Sequence, residues 1–524
     1  MTQQDAQPDR AGAGPGAVQP IPSQRRAGAG TPPIPSQRRA GAGARPVSPA
    51  LLLAILSIAS FLAQLDVWVT NVGLPAIGRG THAGSLADLS WVLNGYAIVY
   101  AALLVPAGRL VDRFGRKGGF LLGLTVFAVA SIGAGLSGDI WVLVGFRVLQ
   151  AAGAALLTPA SLGLVLLTAP AAKVGTYVKI WFTTGALSAA SGPVLGGLLV
   201  EASWRWLFLV NIPVAAAAIA LGARYLPSSR DAGDHLPDLR GGGLLIVAIG
   251  ALALGLVKAP DWGWSSAGVI VAFVLAAVAL VLFLVSSARH PAPVVTLSLF
   301  RDRVFTTANL VATVAFMAFG IELLSTILWL QGHWHYSVIR TGLASTAGPV
   351  MFAVGSAVAE ALQARTRLRA GRIAVAGALL AAVGTIMLTR LVTDEPHFVA
   401  AFLPTWVVLG LGYGLAVPTA ITRATVGLPP EDSATGSAIV TMATQLGSVI
   451  GISILVAILG RASGAASHAV FQHAWYVSAG ALVAAAVASF GLDSRPTAAA
   501  RPDLPPVGAG APDAGDPEAA ARVC

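Results

Sequence analysis

A single cysteine, Cys524, occurs in the chain, so neither an intrachain disulfide nor a thiolate metal site can form. Charge is almost as scarce. Asp, Glu, Lys and Arg make up 11% of the residues, less than half of the ~25% usual in soluble domains. A chain of 524 residues that is 56% hydrophobic cannot hide that much apolar surface in one water-soluble core. The apolar runs are continuous and lack the ~10-residue alternation of a transmembrane β-barrel. No G-x-x-x-x-G-K-[ST] string occurs, so no P-loop nucleotide site drives the protein. No basic start leads into an apolar h-region, and no signal peptide is expected. The histidines fall in tails, loops or span ends. His333 and His335 flank Trp334, but two ligands alone do not make a metal site, and no metal is expected.

What is present is an all-α polytopic membrane pattern. Fourteen apolar stretches of roughly spanning length run from 51–75 to 473–491, each near the ~20 residues a bilayer requires. Residues 1–47 hold Gly, Ala, Pro, Gln and Arg, with Pro-Ile-Pro-Ser-Gln-Arg-Arg-Ala-Gly-Ala-Gly occurring from Pro20 and again from Pro33. That segment has no apolar face and is expected to be disordered, as is 495–524. An even span count puts both termini on one side. Lys and Arg concentrate in the loops after spans 2, 4, 6, 8, 10 and 12 and in the tails. The opposite loops hold only Arg79, Arg205, Lys258, Arg340, Arg390 and Arg461. The positive-inside rule makes both termini cytoplasmic. It also accounts for the formal charge of +10 without nucleic acid as a partner.

Between spans 2 and 3 lies Gly108-Arg109-Leu110-Val111-Asp112-Arg113-Phe114-Gly115-Arg116-Lys117. A loop this short and charged between apolar runs has to lie at a membrane surface. It resembles the G-x-L-x-D-R-x-G-R-K loop of the major facilitator superfamily. Other segments agree. Leu65-Asp66-Val67-Trp68-Val69-Thr70-Asn71-Val72-Gly73-Leu74-Pro75 is similar to the helix 1 signature L-D-x-T-x-x-N-V-A-L-P of drug:proton antiporters. Arg147 and Gln150 match R-x-x-Q-G in helix 4. Gly192-Pro193-Val194-Leu195-Gly196-Gly197 matches the antiporter motif G-P-x-x-G-G. Ser203 to Pro213 resembles the fourteen-helix, EmrB/QacA-like branch. Three positions depart: Trp68 replaces a usual Thr, Ala151 a Gly, and Ser188 a frequent Gly. The loop holding Glu360, Arg365, Arg367, Arg369, Gly371 and Arg372 looks like a degraded second copy of the charged loop.

The resemblance implies the major facilitator fold: a six-helix bundle over 48–226, two inserted helices over 241–287, and a second six-helix bundle over 304–491. It implies a proton-driven multidrug or antibiotic exporter of the bacterial cytoplasmic membrane, a transporter and not an enzyme. The partners would be an amphipathic or cationic small molecule and the bilayer. The protein would be a monomer, with the proton gradient in place of a cofactor. A dedicated exporter of one self-made metabolite would carry the same motifs. A receptor-like protein that moves nothing would have lost its intramembrane charges, and an importer would lack Gly192-Pro193. The inserted spans carry no motif and are expected to face lipid.

Three charged residues, Asp66, Arg147 and Glu322, lie deep within spans. A charge at that depth costs ~2.5–3.5 kcal/mol on insertion scales, so each is expected to face protein; a carboxylate either pairs or takes a proton, while the arginine stays charged. At 1.5 Å per residue, Arg147 lies about 10 Å and Asp66 about 13 Å below one face. The two can form a gated proton site or a static pair, with Gln150 one turn on from Arg147. Glu322, about 12 Å deep in span 9, sits among Phe and Met residues. That setting suits a lipophilic cation or a proton, or a structural hydrogen bond to a neighbouring helix. Small residues Gly185, Ser188, Gly192 and Gly196 share one stripe of span 5, which lets helices approach closely. Pro193 beside it removes a backbone donor and can bend the span. Gly410, Gly412, Gly414 and Pro418 are expected to do similar work in span 12. The charged loop is expected to act as a gate, with Arg109 or Arg113 meeting Glu431 and Asp432, and Asp112 at a helix end or paired with a local cation.

Overall fold

The computed structural model describes residues 48–228, 236–366, 368–426, 428, 430–460 and 467–494. The expected disordered tails lie outside this set. Among the described residues every regular element is a helix, and 14 helices are long and apolar enough to cross a membrane. The first five spans are α1 (Pro49–Gly80), α2 (Leu86–Phe114), α3 (Arg116–Leu136), α4 (Ile140–Thr168) and α5 (Val174–Ala202). The sixth is broken into α6 (Trp206–Leu209) and α7 (Asn211–Tyr225). The inserted pair is α8 (Leu239–Trp262) and α9 (Ala267–Arg289). The second bundle holds α10 (Arg303–Gly332), α11 (Val338–Arg365), α12 (Ala370–Leu391), α13 (Leu403–Val426), α14 (Pro430–Leu459) and α15 (His468–Ser489). A π-helical turn, Phe398–Phe402, leads into α13.

Short polar side chains start these helices by accepting the free amides of the first turn. Asp139 accepts from the Trp141 and Val142 amides at 2.8 and 3.2 Å to open α4. Asp302 accepts from Val304 at 2.8 Å to open α10. A single residue, Gly115, separates α2 from α3. Its φ of +113° belongs to the region that side chains avoid, so this tight reversal needs the glycine of the charged loop.

Lipid is as apolar as leucine, so helices in a bilayer associate through close packing of small residues. A Cβ on Gly123 of α3 would stand 2.8 Å from the Gly153 carbonyl of α4. The second bundle repeats this device. A Cβ on Gly377 of α12 would stand 2.8 Å from the Gly412 carbonyl of α13, and Gly410 and Gly414 lie against Gly348 and Gly355 of α11. The glycines of span 12 therefore pack inside their own bundle. In span 5, Gly192 and Gly196 lie against Trp68 and Val69 of α1, while Gly197 lies against Ile339 of α11 in the other bundle.

The bundles meet along two seams, α2 with α14 and α5 with α11. Side-chain contacts close the half of the molecule farther from the face where α1 begins. Asn94 donates to Ser453 Oγ at 3.3 Å, and Gln331 donates to the Val72 carbonyl at 3.1 Å. Gly342 lies directly against the Pro193 carbonyl, and a Cβ on Gly197 would stand 2.6 Å from Ile339 Cα. Gly197→Leu is therefore expected to prop this seam open. Spin labels on cysteines replacing the exposed Glu201 and Arg340, in a Cys524→Ser background, should report a longer separation than in the parent. An unchanged distance would mean that the seam tolerates the wedge.

The inserted pair does not sit wholly in lipid. α9 does face outward, with Val271 62% and Val281 59% exposed. α8 instead packs on both α2 and α14. Its Leu245, Ile249 and Ala253 share one buried cluster with Ile98 and Val105 of α2 and Ile439 of α14. Lys258 of α8 pairs with Asp88 of α2 at 2.7 Å. At the other end buried Asp238 accepts from the Gly241 amide at 2.7 Å and from Ser286 Oγ of α9 at 2.8 Å. The low charge content of this span was no guide to its position, because a helix that covers a helix–helix seam is as apolar as one that covers lipid.

Candidate functional site

Asp66 lies wholly inside the first bundle, 0% exposed, beside Arg147 at 1%. Arg147 Nη1 contacts Asp66 Oδ2 directly and donates to Gln150 Oε1 at 2.7 Å, while its Nε donates to the Val92 carbonyl at 3.2 Å. The other carboxylate oxygen accepts from Gln150 Nε2 at 2.8 Å and from Asn211 Nδ2 at 3.1 Å. Ser131 Oγ accepts from Gln150 at 2.9 Å and from Asn211 at 3.3 Å. The guanidinium lies 4.3 Å from the centre of the Tyr96 ring. Five helices, α1, α2, α3, α4 and α7, thus converge on one buried ion pair. Both charges are out of water, and only their mutual attraction and these hydrogen bonds offset that cost.

Glu322 occupies the matching place in the second bundle and is also 0% exposed. Its partners are hydroxyls. Thr385 Oγ1 of α12 and Ser478 Oγ of α15 donate to Oε1 at 2.6 and 2.7 Å. The Tyr413 hydroxyl of α13 donates to Oε2 at 2.9 Å. A hydroxyl has one proton to give and can also accept. Thr385 and Ser478 each have a second acceptor, the carbonyls of Ala381 at 3.0 Å and Ala318 at 3.3 Å. When the carboxyl carries a proton it can donate to one of these oxygens while that hydroxyl turns to its carbonyl. The pocket can satisfy either form without moving a heavy atom.

The two pockets correspond element by element. Asp66 on α1 answers to Glu322 on α10, and Ser131 on α3 to Thr385 on α12. Gln150 on α4 answers to Tyr413 on α13, and Asn211 on α7 to Ser478 on α15. Arg147 has no counterpart: three residues before Tyr413 stands Gly410, packed on Gly348. The first pocket therefore holds a carboxylate with a cation, and the second a carboxylate among hydroxyls.

Trp68 directs its ring to the other bundle, 5.9 Å from Phe319 of α10 at 69° between planes. Gly192 makes room for it, because a Cβ there would overlap the Cβ of Trp68. The charged loop ties its own bundle together. Arg116 Nε pairs with Asp112 at 2.9 Å, Lys117 Nζ donates to the Ala223 carbonyl of α7 at 2.7 Å, and the Arg116 side chain lies over Gly163 of α4. Gly108 lies beside Pro159, also of α4. Of the expected contact of Arg109 or Arg113 with Glu431 and Asp432, the Glu431 side chain lies outside the described residues.

Ser131, Asn211, Thr385, Tyr413 and Ser478 were not anticipated as site residues. Each is a common polar residue in an apolar span. One weak signal existed: Asn211 belongs to the Ser203–Pro213 segment that resembles the fourteen-helix exporters.

The helix count, the two bundles and buried carboxylates at repeat-related positions define a polytopic membrane transporter. The sequence profile of the Major Facilitator Superfamily matches residues 56–252, 239–452 and 309–513, and the chain belongs to that superfamily. It is 32% identical over 414 residues to the tetracenomycin C resistance and export protein of Streptomyces glaucescens, covering 78% of this chain and 75% of that one. It is 35% identical over 416 residues to the puromycin resistance protein pur8 of Streptomyces alboniger, covering 77% and 80%. The multidrug resistance protein Stp of Mycobacterium tuberculosis is 33% identical over 402 residues, covering 76% and 74%. Among solved structures, an inward-facing bacterial homologue of the lysosomal transporter Spinster aligns with a TM-score of 0.60 at 17% identity, covering 86% of this chain and 97% of that one. A POT family transporter aligns at 0.59 and 14%, covering 84% and 96%. These structures share the fold; the sequence relatives place the chain among drug-efflux transporters.

Proposed function

We propose that this transporter is a proton-driven antiporter of the fourteen-helix branch, which exports amphipathic small molecules across the bacterial cytoplasmic membrane by alternating access. The observation that carries the reading is the matched pair of buried carboxylates, one in each bundle. Asp66 exchanges its pairing with Arg147 and Gln150 for a proton, and Glu322 is a second proton group. The basic loops and tails mark the cytoplasmic face, so the seams close the outer half and the conformation is inward-facing. The loop from Gly108 to Lys117 gates the inner side through Arg109, Asp112, Arg113, Gly115 and Arg116. Gly192, Pro193, Gly196 and Gly197 form the bend on which the bundles close. The protein works as a monomer and needs no cofactor beyond the proton gradient. A dedicated self-resistance exporter is the narrower form of this reading, supported by relatives that are named for single antibiotics.

The test is an everted vesicle carrying a respiration-driven proton gradient, with an acridine dye reporting the gradient. Puromycin added to vesicles holding the parent should dissipate part of the gradient, and Asp66→Asn should abolish that response. No response from well-expressed parent to puromycin or to a panel of antibiotics would overturn proton-coupled export. An undiminished response from Asp66→Asn would remove Asp66 from the mechanism.

A further inference from the structure

We infer that Trp68 and Phe319 form the binding contact for a planar aromatic molecule without net charge, and that Tyr413 links its arrival to the proton on Glu322. The inference rests on the proton role proposed for Glu322. Trp68 lies about 18 Å and Phe319 about 20 Å from the far ends of their helices by the helical rise, so the two bundles present a ring to each other at one depth. Both rings are only partly buried. The hydrogen bonds Asn94–Ser453 and Gln331–Val72 join the bundles elsewhere along the same interface. The ring pair meets edge to face at 69°, and Phe316 adds a third ring 5.8 Å from Phe319. Edge-to-face and offset-stacked arrangements are close in energy, so a flat ring system can slide between Trp68 and Phe319 and stack on both.

Charge selects among such molecules. The two carboxylates near this depth, Asp66 and Glu322, are both 0% exposed and turned into their own bundles, where their oxygens are already engaged. Asp66 is already balanced by Arg147, and Glu322 is separated from the ring pair by Tyr413, so neither meets a cation held between the rings. Recognition therefore rests on ring area.

The same ring pair reaches the proton site. Phe319 packs edge-on against Tyr413, 5.6 Å between centres at 80°, and the Tyr413 hydroxyl donates to Glu322 Oε2 at 2.9 Å. From α12, α13 and α15 the groups facing Glu322 are Thr385, Tyr413 and Ser478, none of them charged. Thr385 and Ser478 both hold Oε1, and Tyr413 holds Oε2. A ligand that displaces Phe319 shifts the Tyr413 ring and withdraws the donor from Oε2. Substrate binding then changes the proton occupancy of Glu322. Tyr413 is a positioning residue for this step, since it acts through the carboxyl group.

The test uses the full-length protein in nanodiscs. 1,4-Dihydroxyanthraquinone serves as the planar uncharged probe and tetraphenylphosphonium as the cation. The parent should bind the anthraquinone and should bind tetraphenylphosphonium much more weakly. Trp68→Leu and Phe319→Leu should each weaken anthraquinone binding by about tenfold, the scale of losing an aromatic pair with its buried area, and Trp68→Phe should restore most of it. A pH indicator should report proton exchange when the anthraquinone binds the parent. That exchange should be lost in Tyr413→Phe, which keeps the ring and removes only the hydroxyl. No anthraquinone binding by the parent, equal or tighter binding of the cation, or full affinity in both leucine variants would overturn the ring site. If Glu322→Gln still exchanges protons on binding, the proton role of Glu322 fails. If Glu322→Gln loses the exchange while Tyr413→Phe and Phe319→Leu keep it, only the relay fails.

Discussion

Arg147→Met is expected to destabilise the protein by about 3–5 kcal/mol and to abolish proton-driven export, because it leaves one charge of a fully buried pair without its partner. Methionine keeps much of the length of arginine and little of its hydrogen bonding. Asp66 would retain the amides of Gln150 and Asn211 and lose its cation. The Val92 carbonyl, which accepts from Arg147 Nε at 3.2 Å, would lose a donor as well. The measurement is thermal unfolding in detergent alongside gradient-driven export in everted vesicles. The double variant Asp66→Asn/Arg147→Met separates the two effects. It removes both charges, so most of the stability should return, while export should not. The two residues touch, and their effects should be strongly non-additive. A single variant as stable as the parent would mean that the pair does not hold the bundle together. Full export by the double variant would mean that the pair takes no part in coupling.

Glu322→Gln is expected to leave the fold intact and to slow gradient-driven export by about two orders of magnitude, the scale of losing an essential proton-transfer group. The fold should survive because an amide satisfies the same pocket. Its oxygen accepts from Tyr413, and its two N–H groups donate to Thr385 and Ser478, whose hydroxyls turn to the carbonyls of Ala381 and Ala318. Substrate exchange across vesicles without a gradient should continue, since no proton need move. Glu322→Ala should behave differently. It strands the Tyr413 hydroxyl and leaves Thr385 and Ser478 only their backbone carbonyls, so it should lower stability by about 1–3 kcal/mol for each buried group left unsatisfied. Unfolding curves and paired exchange and uptake assays distinguish these outcomes. Undiminished gradient-driven export by Glu322→Gln would remove the second proton group from the mechanism.

The number and placement of the membrane spans were legible in the sequence, because hydropathy over about twenty residues is a local property that survives any packing. The superfamily was legible for a related reason. Gly115 has to be glycine at a φ of +113°, and the charged residues around it have to sit at a surface, so the loop carries its constraints in its own residues. Depth was legible too: counting the helical rise set Asp66 and Arg147 at nearly one level, and the two do meet. The rotation of each helix about its axis was not legible. It depends on which small residues let two helices approach, as Gly123 does on Gly153 and Gly377 on Gly412. That rotation decides that α8 covers the seam between α2 and α14 and that Trp68 meets Phe319. It also brings Ser131 and Asn211 to one carboxylate network and Thr385, Tyr413 and Ser478 to another. A lone serine, threonine or tyrosine in an apolar span has no periodic signature. The spans, the superfamily and the two buried acids each follow from the chemistry of a short stretch. The groups those acids face do not, because a hydrogen-bond partner on another helix is selected by the packing of whole helices.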